Sequence, residues 1–152
     1  MSFLSTLNIA GSGMTAQQTR LDVIAENITN ASTTRTEAGG AYRRKVVVMQ
    51  SQGGRDDFRA AMARAQRVSN AGNTATGGVK ITNIVEDQSD LKLVYDPTHP
   101  DANEAGYVEL PNIDLVKEIT DAMAASQAYS ANVTAFNVMK SVISKGLEIG
   151  KQ

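Results

Sequence analysis

The stretch Ile113–Ile149, IDLVKEITDAMAASQAYSANVTAFNVMKSVISKGLEI, decides the fold. Leu115, Ile119, Ala122, Ser126, Tyr129, Val133, Phe136, Lys140, Ile143 and Leu147 follow alternating steps of four and three residues. That spacing places one stripe along one side of a long helix. Val116, Met123, Met139 and Val142 widen the stripe beyond a narrow coiled-coil seam. Asp114, Glu118 and Asp121 lie near its start and Lys140, Lys145 and Lys151 near its end, as the helix dipole favours. Pro111 and Asn112 mark the beginning, and Gly146 or Gly150 the exit.

The N-terminal end repeats the design. From residue 3 to 31, Leu7, Met14, Leu21 and Ile28 recur every seven residues, with Ala10, Gln17, Ile24 and Ala31 three further on. Such a seam runs along about 40 Å of helix at 1.5 Å per residue. Gly11 and Gly13 sit inside it, and each costs about 1 kcal/mol relative to Ala. This helix is expected to be marginal alone and to form mainly when a partner covers its seam. The turn-rich run Asn30, Ser32, Thr33 and Thr34 ends it.

Between the helices, Tyr42–Met49, Val79–Glu86, Leu91–Tyr95 and Tyr107–Leu110 read as short strands bounded by Gly, Asn, Asp and Pro. Arg55 to Val68 reads as a short basic helix with Phe58, Met62 and Ala65 on one side, and Ser69 to Gly78 as a flexible loop. The expected fold is mainly α with a small β-rich insert. Residues 1–34 form an N-terminal assembly helix, 35–111 a β-rich middle with a flexible, partly helical loop at about 51–78, and 112–152 a C-terminal assembly helix.

The 152 residues are one domain's worth of chain, with 41% hydrophobic and 20% charged residues. Three Phe, four Tyr and no Trp leave any core to Leu, Ile, Val, Met and Ala. The absence of Cys removes disulfides, thiolate zinc sites and cysteine nucleophiles. The net charge of −1 hides an asymmetry: Arg35 to Arg67 sums to +5, Glu86 to Asp121 to −8. Opposite-sign segments of this kind can fold together or dock head to tail between copies. No basic n-region precedes an apolar run at the N-terminus, so an ordinary secretory signal is not expected. The longest aliphatic run, Val46–Met49, is far short of a bilayer span of roughly 20 residues, so no membrane insertion is expected.

Signals for chemistry are weak. Gly11-x-Gly13-x-x-Ala16 fits a dinucleotide-binding string, but no strand precedes it, and close helix packing or bending explains the glycines better. His99, the only histidine, lies in Asp96-Pro97-Thr98-His99-Pro100-Asp101; a structural turn is favoured over a cation site. Adjacent carboxylates such as Glu86-Asp87 point to opposite faces of a strand, and no serine sits in a nucleophile elbow. No catalytic residue, metal, cofactor or small-molecule substrate is expected. The Arg43–Arg67 region, with Arg43-Arg44-Lys45, Arg55, Arg59, Arg64 and Arg67, admits two readings. One is a basic nucleic-acid-binding module, weakened by the lack of interleaved aromatics. The other, which is preferred, is contact with an acidic neighbouring subunit. The two apolar seams point the same way, since a two-helix pair cannot cover a stripe this wide.

At these residues the sequence resembles a known family. Thr15-Ala16-Gln17-Gln18-Thr19-Arg20-Leu21-Asp22-Val23-Ile24-Ala25-Glu26-Asn27-Ile28-Thr29-Asn30-Ala31-Ser32-Thr33 is similar to the N-terminal signature of flagellar rod and hook proteins. Ser126-Gln127-Ala128-Tyr129-Ser130-Ala131-Asn132-Val133 resembles the C-terminal one. Tyr95-Asp96-Pro97-Thr98-His99-Pro100-Asp101-Ala102, with Gly106-Tyr107-Val108 and Pro111-Asn112-Ile113-Asp114, narrows the resemblance to the proximal rod. It covers nearly the whole chain outside about Ser51 to Thr76. Glu26 and Thr29 stand where the family more often has a small or amide residue and Ala, and Gln127 where it often has Arg. The resemblance implies a structural subunit of the bacterial flagellar basal-body rod, in the periplasm. It would be exported unfolded through the flagellar type III export apparatus, then polymerised with itself and other rod proteins into a torque-transmitting shaft. It implies no nucleic-acid partner. Carried over residue by residue, the assembly surface comprises Leu7, Met14, Leu21, Ile24, Ile28, Val116, Ile119, Met123, Val133 and Phe136. Tyr129, Ile143 and Leu147 extend it along the same stripe, and Asn27, Asn30 and Asn132 match signature amides.

Overall fold

A computed structural model describes residues 3–37, 39–52 and 77–150. Its elements in chain order are α1 (Phe3–Thr29), β1 (Lys45–Ser51), β2 (Val79–Glu86), β3 (Lys92–Tyr95), β4 (Tyr107–Leu110) and α2 (Leu115–Ile149). The protein is therefore mainly helical, with two two-stranded sheets, β1–β2 and β3–β4, between the helices. The expected basic helix at Arg55 to Val68 lies outside the described residues, as does most of the Ser69–Gly78 loop.

β1 ends at Ser51 rather than Met49 and β3 starts at Lys92 rather than Leu91, and two further boundaries differ from expectation for chemical reasons. β1 starts at Lys45 rather than Tyr42, because Tyr42 and Arg44 commit their side chains to a buried polar cluster and the Arg44 N–H donates to the Asn112 side chain (2.8 Å). At the start of α2, Asp114 is the cap: its Oδ1 accepts from the Val116 N–H (3.0 Å) and its carbonyl from the Glu118 N–H (2.9 Å). Asn112 instead ties loops together, donating from Nδ2 to the Asp87 carbonyl (3.1 Å) and to Ser89 Oγ (2.8 Å).

The chain divides into two compact units, and both helices run through both. The first draws on Met1–Gln17, Met49–Thr82 and Gln127–Gln152. Its close contacts are made by small residues. Ala10 and Ala16 are buried, and a Cβ on Gly13 would lie 3.0 Å from Asn132 Nδ2. Ser12 joins α1 to β2: its hydroxyl donates to the Ile9 carbonyl (2.8 Å) and accepts from the Val79 N–H (3.1 Å). Gly78, at φ +137°, permits that approach, because a Cβ there would meet Ser12 Oγ at 2.5 Å. Gly11, by contrast, has no atom within 4 Å of a Cβ position. Gly11→Ala is expected to stabilise the isolated protein by about 0.5–1 kcal/mol, read as a higher melting temperature. Gly13→Ala, which crowds the Asn132 amide, is expected to gain less.

The second unit, Gln18–Val48 with Asn83–Ser126, holds most of the buried side chains. Val23, Ile24, Tyr42, Val108, Ile113 and Ala125 are its buried apolar residues. The β3–β4 register pairs Leu93 with Glu109, Val94 with Val108 and Tyr95 with Tyr107. Alternation along each strand puts Val108 inward and Leu93, Tyr95, Tyr107 and Glu109 on the opposite face. Gly106 has φ +80° and lets Tyr95 pack against the turn, where a Cβ would sit 2.9 Å from its ring. The Asp96–Asp101 segment is a turn: Asp96 accepts from the Thr98 hydroxyl (2.6 Å) and amide (3.0 Å), and His99 Nδ1 accepts from the Asp101 N–H (3.1 Å). Thr98 holds the Asp96 carboxyl below the usual carboxylate range.

Candidate assembly surface and its polar anchor

The helix faces do not divide as the seam arithmetic expects. On α2 the residues turned into the chain's own second unit are Glu118 and Ala125, both buried, with Asp121 and Ala122 half-buried. The large apolar residues lie outside: Val116 is 74% exposed, Met123 61% and Ile119 47%. Further along, Val138, Val142 and Leu147 are also exposed, while Tyr129, Asn132, Val133, Phe136 and Ile143 are half-buried. On α1, Ile24 and Asn27 are buried, and Leu7, Met14, Leu21, Ile28 and Asn30 are half-buried. In its second unit the chain therefore turns small and polar residues of α2 inward and leaves Val116, Ile119 and Met123 uncovered, a pattern that marks an interaction surface.

The second unit is centred on a polar cluster that periodicity does not reveal. Glu118 is fully buried and accepts from Arg44 Nε (2.6 Å) and Asn27 Nδ2 (3.1 Å). Arg44 also lies 3.6 Å from Asp121 and 4.0 Å from Asp87, and Arg20 reaches Asp121 at 3.4 Å. Asn27, 1% exposed, uses its whole amide: Nδ2 also donates to the Lys45 carbonyl (2.9 Å), and Oδ1 accepts from the Lys45 N–H (2.9 Å) and the Tyr42 hydroxyl (3.1 Å). A buried carboxylate is tolerated only when paired and hydrogen-bonded in this way. Asn30 Nδ2 turns back to the Glu26 carbonyl (2.9 Å), and Asn132 packs beside Gly13.

Arg43, Arg44 and Lys45 are each engaged by the fold. Their partners are in the same chain: Arg43 donates to the Ser89 carbonyl (3.3 Å), Arg44 meets Glu118, and Lys45 meets Glu26 (2.5 Å). Part of the charge asymmetry is thus used within the fold, most completely at Arg44, whose side chain is 16% exposed. Among the described residues no helix is long and apolar enough to cross a membrane, and no group of three or more His, Asp or Glu could hold a metal.

Burial, followed by the charges of Glu26, Glu86 and Glu118, pushes the Tyr42 phenol up to about 12. A raised folded value means the stabilisation is complete below the unfolded value near 10 and disappears as pH rises through about 12. The unfolding midpoint is expected to fall steeply across that window. Tyr42→Phe is expected to flatten the fall and to cost about 1 kcal/mol at neutral pH through the lost bond to Asn27. A denaturation series against pH checks both.

The exposed apolar residues of α2, beside a polar-anchored β region, define a protein that presents an interaction surface. Residues 7–35 match the family model described as flagella basal body rod protein, and residues 104–149 the flagellar basal body rod FlgEFG protein C-terminal model. The chain is 44% identical to the flagellar basal-body rod protein FlgC of Bacillus subtilis, over 99% of this chain and 100% of the relative. It is 40% identical to FlgC of Borreliella burgdorferi, over 98% of each, and 40% identical to FlgC of Escherichia coli, over 99% and 100%. The chain belongs to the flagellar basal-body rod protein family and is FlgC-like along its whole length. It is a structural component of the rod of the flagellar basal body.

Proposed function

We propose that this chain polymerises, with copies of itself and with other rod proteins, into the proximal part of a drive shaft that carries motor torque outward. The observation that carries the reading is the uncovered stripe of α2, where Val116, Ile119, Met123 and Leu147 stand between 47% and 74% exposed. Neighbouring subunits bury it, together with Leu7, Met14, Leu21, Ile28, Tyr129, Val133, Phe136 and Ile143. Ile24, Asn27, Asn30 and Asn132 support that surface from inside the subunit. Two features suit export as an unfolded thread through the flagellar type III apparatus: no cysteine to cross-link in transit, and an N-terminal helix of low intrinsic propensity.

Subunit-resolved imaging of purified basal bodies tests the reading. The chain is expected in the rod with both helices packed against neighbours. Basal bodies whose rods are complete without it would overturn the proposal.

A further inference from the structure

One apolar surface is not part of either helical seam. The outer face of the β3–β4 hairpin carries Leu93 and Tyr95, 64% and 65% exposed, and Tyr107, 44% exposed. The two tyrosine rings meet edge to face with centroids 5.3 Å apart, which fixes them as one platform. Glu109 lies on the same face, opposite Leu93, and Glu104 lies in the turn before β4. From Leu93 to Leu110 the chain has four carboxylates and no Lys or Arg. Asp101 is engaged by Thr34 and Arg35, and Asp96 by Thr98, which leaves Glu104 and Glu109 as the charges of the platform.

The complementary chemistry is in the same sequence. Arg55–Arg67, RDDFRAAMARAQR, carries four arginines, no lysine, and the apolar residues Phe58 and Met62. Guanidinium groups stack on tyrosine faces and pair with carboxylates in a planar fork, which ammonium groups do not. Arg43, Arg44 and Lys45 each have a partner within the fold, and this segment, four arginines against Asp56 and Asp57, adds a further +2 to the basic stretch. We infer that the outer face of the β3–β4 hairpin is a docking platform for the Arg55–Arg67 segment of a neighbouring copy of this chain. The inference rests on the polymerisation proposed above. A head-to-tail contact between two different surfaces of one chain repeats at every step of a ring or helix.

Cross-linking in purified basal bodies tests it, because the chain has no native cysteine. Ala105→Cys and Ala60→Cys, which spare the tyrosines and the arginines, are made as separate, differently tagged chains in one cell, and a short bismaleimide is added. Dimers joining one chain of each kind are expected to exceed Ala105→Cys homodimers at least about tenfold. Basal bodies that contain both variants but yield no mixed dimer overturn the docking, as does a doubly substituted chain that cross-links only within itself. Where a cysteine keeps the chain out of basal bodies, charge reversal decides. Glu109→Arg and Arg59→Glu each reduce swimming, and their combination restores it; a combination no better than either alone overturns the inference. A wild-type chain absent from basal bodies would instead defeat polymerisation itself, a separate result.

Discussion

Arg44→Ala is expected to destabilise the protein by about 3–5 kcal/mol, the cost of leaving a buried charge without its partner. Glu118 has no exposed surface, and among the described residues Arg44, with Nε at 2.6 Å, is its only cationic contact within 4 Å. The Asn27 amide that remains supplies one neutral hydrogen bond, which does not offset a desolvated carboxylate. The same substitution releases Asp121 and Asp87 on the rim of the cluster, but these are partly solvated and add little. Glu118→Gln removes the charge, and its single amide oxygen can keep only one of the two bonds, from Arg44 Nε or from Asn27 Nδ2. It is expected to lose less than Arg44→Ala, because Arg44 retains Asp121 and Asp87 beside it. Urea denaturation followed by circular dichroism measures both. Equal stability of Arg44→Ala and wild type would show that Glu118 is not held by this cluster.

Met123→Asp is expected to abolish rod assembly while leaving the folded subunit almost unchanged. Met123 is 61% exposed, so an aspartate there meets water in the monomer, and surface changes of this kind stay within about 0.5 kcal/mol. In the assembled rod the same carboxylate would be buried against a neighbour's apolar surface, at a cost of several kcal/mol for each subunit. Leu21→Asp is expected to abolish assembly as well, with a folding penalty in addition, because Leu21 is already half-buried within its own chain. Export of both variants is expected to continue. Swimming assays with detection of exported chain separate the two steps, and wild-type swimming of Met123→Asp would remove α2 from the assembly surface.

The helices were legible in the sequence because their period persists over 27 and 35 residues, long enough for the pattern to outweigh any single glycine or serine. β2 and β4 were legible because β-branched runs meet clear turn residues at both ends. Glu118 was not legible in its real role. An acidic residue in a helix's first turn reads as a solvated complement to the dipole, and nothing local says that Arg44, 74 positions earlier, folds onto it. Asn27 belonged to a recognised signature, yet its four bonds need Tyr42 and Lys45, which sequence spacing alone cannot bring together. The outward turn of Val116, Ile119 and Met123 was hidden for a related reason. A wide stripe shows which side of a helix is apolar, but not which edge of that side the chain keeps for itself.

The Asn27–Arg44–Glu118 cluster also acts as a ruler. Apolar stripes that recur every seven residues are nearly indifferent to slippage, since a helix shifted by two turns, about 10.5 Å, presents a similar surface. Shifted so, α2 would offer Ala125 where Glu118 now stands, and Arg44 and the Asn27 amide would be buried facing a methyl group. The apolar contacts hold the helices together without specifying which turn meets which, and Glu118, the one buried carboxylate among the described residues, specifies it. One buried charge thus acts as a phase mark that gives every copy of the chain the same pairing of turns around Asn27, Arg44 and Glu118.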